Sequence, residues 1–218
     1  LKFIITLFFV FSPHKSYPEE QSKKVKIKSS DIKILFLGDS LTQGFGVKKD
    51  EAFPFLVKKS LTSKFKKKIK IINAGSSGAT SFGAKKRLQW QLKRNKNHLP
   101  KILVLALGAN DGLRGLSTKK MKNNLLEAIK LAKENKIVIL LCGMKTPPNY
   151  GKKYSQDFEE VFSSLAKETK VNFIPFLLEG VAANEKLNLV DGIHPNKDGH
   201  KVIAQLVSQS LVQIIGKK

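Results

Sequence analysis

The sequence predicts an α/β fold in which helices pack on a five-stranded parallel sheet, and two observations support this. From Asp31 onward, short apolar runs alternate with longer amphipathic segments. The apolar runs are unbroken and rich in Ile, Val and Leu, which is typical of strands buried on both faces of a parallel sheet. Repeated strand–helix alternation of this kind favours one α/β sandwich, and 218 residues suit a single domain.

Each apolar run predicts a strand, and each amphipathic segment after it predicts a helix. The strands are expected at 33–37, 69–72, 102–107, 137–141 and 172–175. The helices are expected near 51–65, 81–95, 118–135, 155–169 and 197–214. Four residues with side-chain oxygens stand where helices should begin and are the expected N-caps: Asp50, Ser81, Thr118 and Ser155.

The N-terminal segment predicts export. Residues 3–11 are largely apolar and follow Lys2, which gives the length of a signal-peptide core but is too short for a membrane span. We therefore expect a signal peptide at 1–17, a polar linker at 18–30, a folded domain at 31–218 and a periplasmic or secreted location. A short membrane-associating N-terminus is the alternative.

The charge of the chain is strongly positive, with 40 Lys and Arg against 17 Asp and Glu and a net charge of +23. Such a balance suits nucleic acid, an anionic membrane or acidic substrates. However, only Arg87, Arg94 and Arg114 can fork onto phosphates and guanines, and the lysines are spread along the whole chain. We expect solvated lysine faces and no nucleic-acid partner, and we leave transient contact with an anionic membrane surface open.

Cofactor and disulfide chemistry find little support in the sequence. Cys142 is the only cysteine, which excludes a disulfide scaffold and a cysteine zinc site, and its apolar neighbours predict burial. A metal site could draw on Asp191, His194, Asp198 and His200. The last two should lie in the final helix and point elsewhere, so no metal or other cofactor is expected.

Small and polar residues collect in the segments after the predicted strands, at 38–44, 73–78, 108–112 and 191–195. In open parallel sheets, ligands bind beyond the carboxyl ends of the strands. Nucleotide binding is a weak interpretation, because neither Gly-x-Gly-x-x-Gly nor Gly-Lys-Ser/Thr occurs there. Nucleophilic catalysis is the stronger one.

A serine, a histidine and an aspartate stand in places that suit a catalytic triad. Ser40 follows the first strand, and Asp191 precedes His194 by three residues, so one tight loop could present the base and its orienting carboxylate. The oxyanion of the tetrahedral intermediate needs donors. The backbone N–H groups of Ser40 and Gly78 and the side-chain amide of Asn110 could supply them from three strand ends.

These residues together resemble the GDSL, or SGNH, hydrolases. The resemblance rests on Gly-Asp-Ser-Leu-Thr at 38–42, on Gly78, on Gly-Ala-Asn-Asp at 108–111 and on Asp-Gly-Ile-His-Pro at 191–195. The segments 110–115, 148–151 and 191–196 resemble those of the bacterial periplasmic thioesterase, lysophospholipase and arylesterase branch. The likeness covers about 32–204.

The resemblance implies a flavodoxin-like three-layer α/β/α fold, no metal, and hydrolysis of acyl esters or thioesters. It makes Ser40 the nucleophile, with Asp191 and His194 completing the triad. It also makes Gly78 and Asn110 the oxyanion donors beside Ser40. The residues expected to border the acyl group are Asp111, Gly112, Leu113, Pro148 and Tyr150, although a structural role is the simpler interpretation of Asp111.

The predicted function is therefore that of a serine esterase working through an acyl-enzyme intermediate. The expected substrates are fatty-acyl, lysophospholipid-like or aryl esters. Two alternatives remain at this point: a carbohydrate or acetyl esterase on the same fold, and a non-catalytic basic protein that binds surfaces.

Overall fold

A single parallel sheet forms the centre of the protein in the computed structural model, which describes residues 31–216. Its strands run in the order β2-β1-β3-β4-β5, and every pair is parallel. They are β1 (Asp31–Gly38), β2 (Lys68–Gly75), β3 (Ile102–Ala106), β4 (Val138–Cys142) and β5 (Asn172–Ile174). The predicted signal peptide at 1–17 and linker at 18–30 lie outside the described residues.

Helices cover both faces of this sheet. They are α1 (Ser40–Gln43), α2 (Phe53–Phe65), α3 (Ala84–Arg94), α4 (Ala109–Leu113), α5 (Thr118–Glu134), α6 (Lys152–Thr169) and α7 (Lys197–Gly216). α2 packs against α7, whereas α3, α5 and α6 pack side by side. Because the chain moves from β1 to β2 in one direction and onward to β3, β4 and β5 in the other, right-handed crossovers place α2 and α3 on opposite faces. The predicted three-layer α/β/α architecture is confirmed.

The core lies between these layers, as the apolar runs predict. β3 is buried along its whole length, and Cys142 is fully buried in β4. Strands that are covered on both faces have no polar side, which is why their sequences do not alternate. None of the helices within residues 31–216 combines the length and apolar character that a bilayer crossing requires.

The helix starts differ from the predicted caps. α2 follows Ala52 and has a proline in its first turn, α5 is capped by Ser117 rather than Thr118, and α6 follows Gly151. Ser81 is buried in a short 3-10 turn before α3, and its hydroxyl group donates to Asp111 instead of capping the helix. An N-cap is decided by the local backbone path, which a side-chain oxygen alone does not reveal.

Candidate active site

The order of the strands reverses at β1, because β2 lies on one side of it and β3 on the other. A crevice is expected at the carboxyl end of β1, where the order reverses. In the strand register, Gly38 at the end of β1 is level with Gly75 of β2 and Ala106 of β3. The loops that follow these three strands therefore start at the same height and flank one another. This arrangement brings the segments around Ser40, Gly78 and Asn110 to one edge of the sheet.

Ser40 is the first residue of α1 and is almost buried. Asp39 caps this short helix, because its Oδ1 accepts the N–H of Leu41 at 3.0 Å. Burial raises the pKa of Asp39 to about 6, against the opposing effect of that hydrogen bond. The local fold thus holds the serine on a turn between strand and helix.

His194 joins Ser40 to Asp191 in one hydrogen-bonded chain. The distance from His194 Nε2 to Ser40 Oγ is 3.0 Å, and that from His194 Nδ1 to Asp191 Oδ2 is 2.7 Å. Because a carboxylate only accepts, Nδ1 carries the proton, and Nε2 is left to accept the serine hydroxyl. This is the tautomer that a general base for Ser40 requires.

The turn that contains Asp191 and His194 fixes its own geometry. Oδ1 of Asp191 accepts the backbone N–H groups of Ile193 and His194, each at 2.9 Å. These hydrogen bonds lower the pKa of Asp191 to about 2, although partial desolvation opposes them. The bond from the backbone N–H of His194 has the largest effect, and the bonds from the His194 ring and from the N–H of Ile193 add to it. The carboxylate therefore stays ionised, as the stabilisation of an imidazolium requires. Phe45 covers the histidine ring at a centroid distance of 4.5 Å.

Three hydrogen-bond donors are available at the edge of the sheet that carries Ser40. The backbone N–H groups of Ser40 and Gly78 have no acceptor among residues 31–216. Asn110 donates one N–H of its side-chain amide to Ala79 O at 3.0 Å, which orients the amide and leaves its second N–H available. Gly78 adopts a φ of 74°, a conformation that favours glycine. The arrangement suits an oxyanion hole built from three loops.

Gln43 supports this region and is a site residue that was not predicted from the sequence. It lies one turn after Ser40 on α1, and its Oε1 accepts both the N–H and the O–H of Ser77, at 2.8 and 2.9 Å. It therefore ties the loop that carries Gly78 to the helix that carries the serine. Its place in the run 38–44, spaced helically from Ser40, is the signal that could have identified it.

Two arginines also hold the loops of the site. Arg87 donates to the carbonyl oxygens of Gly38 and Ala74, at the ends of β1 and β2. Arg114 donates to Gly78 O at 3.1 Å. Arg114 lies within the segment 110–115 that the resemblance singles out, whereas no motif marks Arg87, which reaches the strand ends from α3.

The residues expected to border the acyl group divide into two sets. Tyr150, in the short 3-10 turn Pro148–Tyr150, donates its hydroxyl to Leu113 O at 2.7 Å, so these two predicted segments do meet. Asp111 is only 3% exposed, and its two oxygens accept the N–H and O–H of Ser81. Gly112 is buried as well. We therefore assign Asp111 to holding the loop rather than to contact with substrate.

The metal alternative finds no site in the described part of the chain, where no group of three His, Cys, Asp or Glu side chains could hold an ion. His200 is fully buried, and its Nδ1 accepts the N–H of Phe53 at 3.3 Å. Burial lowers the pKa of His200 to about 4, so the ring is a neutral part of the core.

Comparison with known proteins agrees with the geometry. The chain is 35% identical over 181 residues to an arylesterase of Vibrio mimicus, which covers 83% of this chain and 88% of the relative. It is 34% identical over 182 residues to thioesterase 1/protease 1/lysophospholipase L1 of Escherichia coli K12, with 84% of each chain covered. The crystal structure of TesA superposes with a TM-score of 0.79 at 32% identity and covers 84% of this chain and 99% of that one. Residues 36–202 match the model of the GDSL-like Lipase/Acylhydrolase family, and the chain belongs to that family.

Proposed function

We propose that the protein is a serine esterase that hydrolyses acyl esters or thioesters through an acyl-enzyme intermediate. The observation that carries the proposal is the hydrogen-bonded chain from Ser40 Oγ through His194 to Asp191. Such a chain activates a hydroxyl group that would otherwise be a poor nucleophile. The same geometry weighs against a non-catalytic surface-binding protein, which has no need of it.

The reaction follows from the positions of these groups. His194 Nε2 takes the proton as Ser40 Oγ bonds to the acyl carbon, and Asp191 stabilises the resulting imidazolium. The donors of Ser40, Gly78 and Asn110 are available for the oxyanion. Collapse of the intermediate breaks the bond to the alcohol or thiol, which leaves with the proton from His194. Water, deprotonated by the same nitrogen, then attacks the acyl-enzyme and releases the acid and the free serine.

The proposed substrates are fatty-acyl, lysophospholipid-like and aryl esters. The names of the relatives, arylesterase and thioesterase/lysophospholipase, support this range. A carbohydrate or acetyl esterase would hydrolyse acetyl esters fastest. A series of p-nitrophenyl esters of rising acyl length separates the two, because our proposal expects kcat/KM to rise beyond acetyl.

Labelling of the nucleophile tests the mechanism. Wild-type protein should react with a fluorophosphonate probe and hydrolyse a p-nitrophenyl ester, whereas Ser40→Ala should lose labelling and about 10⁴-fold or more in kcat. Ser163→Ala, an exposed serine on α6, is the matched control and should behave as wild type. Labelling or normal turnover by folded Ser40→Ala would overturn the proposal.

We also propose export through residues 1–17. The apolar stretch at 3–11 after Lys2 supports this part of the proposal. In a Gram-negative host, the chain should be recovered in the periplasmic fraction with a shortened N-terminus, and a chain starting at 18 should stay in the cytoplasm. Equal recovery of both chains in the cytoplasm would contradict export.

A further inference from the structure

Exposed apolar side chains concentrate at the edge of the sheet that carries the site. Among residues 31–216, six large hydrophobic residues are exposed, and five of them lie in the segments that connect the carboxyl ends of the strands to the long helices. These five are Phe45, Phe82, Leu116, Val190 and Ile193. Phe82 is 86% exposed and Val190 is fully exposed, so they do not serve the core. Apolar residues gathered around a site mark an interaction surface.

Lysine pairs accompany these apolar residues at three adjacent helix starts. α3, α5 and α6 lie side by side and begin at this same edge, since each follows the carboxyl end of a strand. Their first turns contain no acidic residue but hold Lys85 and Lys86, Lys119 and Lys120, and Lys152 and Lys153. The helix dipole favours acids there and disfavours cations, so stability does not explain the pattern.

Most of this charge is available to a partner. Lys85 pairs with Glu127 and Lys153 with Asp157. The other four members, which are exposed and have no ion-pair partner among residues 31–216, are Lys86, Lys119, Lys120 and Lys152. Two apolar residues, Phe82 and Leu116, each stand two positions before the start of α3 or α5. We call these two residues, together with the six lysines, the basic edge.

We propose that the basic edge docks the protein on a lipid bilayer that contains anionic phospholipids. Lysines attract anionic headgroups, and apolar side chains beside them enter the boundary between headgroups and acyl chains. The inference extends the proposed function, because docking in this orientation turns the Ser40 crevice toward the bilayer, where acyl esters of lipids lie. Nucleic acid fits less well, since it offers no apolar phase for Phe82 and Leu116.

Matched charge variants test whether this edge, rather than the net charge, binds the membrane. Both are made in Ser40→Ala protein, so that hydrolysis cannot alter the vesicles. One carries Gln at the four unpaired lysines of the basic edge: Lys86, Lys119, Lys120 and Lys152. The other carries Gln at four lysines near the amino ends of the strands, which also form no ion pair with a described residue: Lys68, Lys96, Lys101 and Lys167. Each loses the same charge.

Co-sedimentation with vesicles measures the partition coefficient. Vesicles of phosphatidylcholine with about one third phosphatidylglycerol are compared with phosphatidylcholine alone. We expect Ser40→Ala protein to bind only the anionic vesicles, less as salt rises, and the basic-edge variant to bind more than about tenfold more weakly. The control variant should change less than about threefold. Equal weakening of both variants, or no binding by Ser40→Ala protein, overturns the proposal.

Tryptophan fluorescence tests the apolar contact independently. Trp90 is the only tryptophan and lies on the body of α3, outside the basic edge. Its emission should not shift with anionic vesicles, whereas Phe82→Trp in a Trp90→Phe background should shift to the blue. No shift at position 82 overturns insertion. Hydrolysis of a soluble p-nitrophenyl ester by the basic-edge variant with Ser40 intact is scored separately, so loss of docking and loss of the proposed function are distinguishable.

Discussion

Replacing Gln43 by Ala should lower kcat without preventing folding or substrate binding. The side chain is exposed, so its removal leaves no cavity in the core. It takes away the acceptor for both the N–H and the O–H of Ser77. The loop then loses its connection to α1, and Gly78, the next residue, loses its fixed position. Gln43 is thus expected to act as a positioning residue for Gly78, the proposed oxyanion donor.

The size of the effect follows from the two bonds. Each contributes about 0.5–1.5 kcal/mol net, so together they hold the loop by about 1–3 kcal/mol. Complete loss of one oxyanion donor costs about 10²–10³ in kcat, which sets the upper limit. We expect Gln43→Ala to reduce kcat about 10- to 100-fold, with KM changed less than about threefold because the defect appears only in the transition state.

Gln43→Glu tests whether the hydrogen-bond acceptor at position 43 is what matters, because it keeps a side chain of about the same size. A glutamate at 43 keeps oxygen acceptors for both Ser77 donors, so kcat should recover to within about threefold of wild type. Steady-state kinetics with a soluble p-nitrophenyl ester measures all three proteins, and the thermal midpoint of each shows that it is folded. Unchanged kcat in Gln43→Ala, or an equal loss in Gln43→Glu, would contradict a positioning role for the Gln43 side chain.

Three other substitutions test residues that hold the loops and the short helix of the site in place. The pKa of Asp39 in the folded protein is about 6, above its usual 3.8. Between about pH 4 and 6 the folded state therefore keeps a proton that the unfolded state has lost, and the free energy of unfolding should fall by up to about 3 kcal/mol as pH rises through that range. Urea unfolding of Asp39→Asn should lack that fall. Asp111→Ala leaves the buried donors of Ser81 without acceptors and should cost about 2–4 kcal/mol in urea unfolding; a change under 1 kcal/mol contradicts this. Gly75→Ala places a Cβ 2.1 Å from the backbone of α1 and should abolish ester hydrolysis, whereas Gly216→Ala, with open space around it, should be silent.

The strands and long helices were predictable because burial dictates their composition. β3 is apolar at every position since both faces are covered, and the shortness of the run together with its Ile, Val and Leu content favours a buried strand over a helix. The two short helices that frame the site, α1 and α4, were not predicted. Each has only four or five residues, so periodicity cannot reveal it. Their conformation depends on the path of the loops that follow β1 and β3, which hydrophobic periodicity does not report.

The predicted triad residues do meet in the structure, because the sheet imposes their convergence. Ser40 follows β1, and the turn of Asp191 and His194 precedes the last helix, so topology brings both to one edge. The role of Asp111 was harder to judge from the motif. Whether the carboxylate in the Gly-Ala-Asn-Asp run faces substrate or the protein depends on a partner elsewhere in the chain, here Ser81.

Arginine and lysine carry the same charge but occupy different places in this protein, because their side chains differ in hydrogen-bonding geometry and hydration. Arginine is rare in this chain, yet Arg87 donates to two carbonyl oxygens at the ends of adjacent strands, and Arg114 donates to the loop of Gly78. A planar guanidinium offers several donors in fixed directions and stays charged when partly buried, whereas a lysine prefers full hydration. Two carbonyl oxygens on adjacent strands therefore suit one arginine, and an outward face that meets headgroups in many orientations is served by lysine. The net charge of +23 by itself describes neither use.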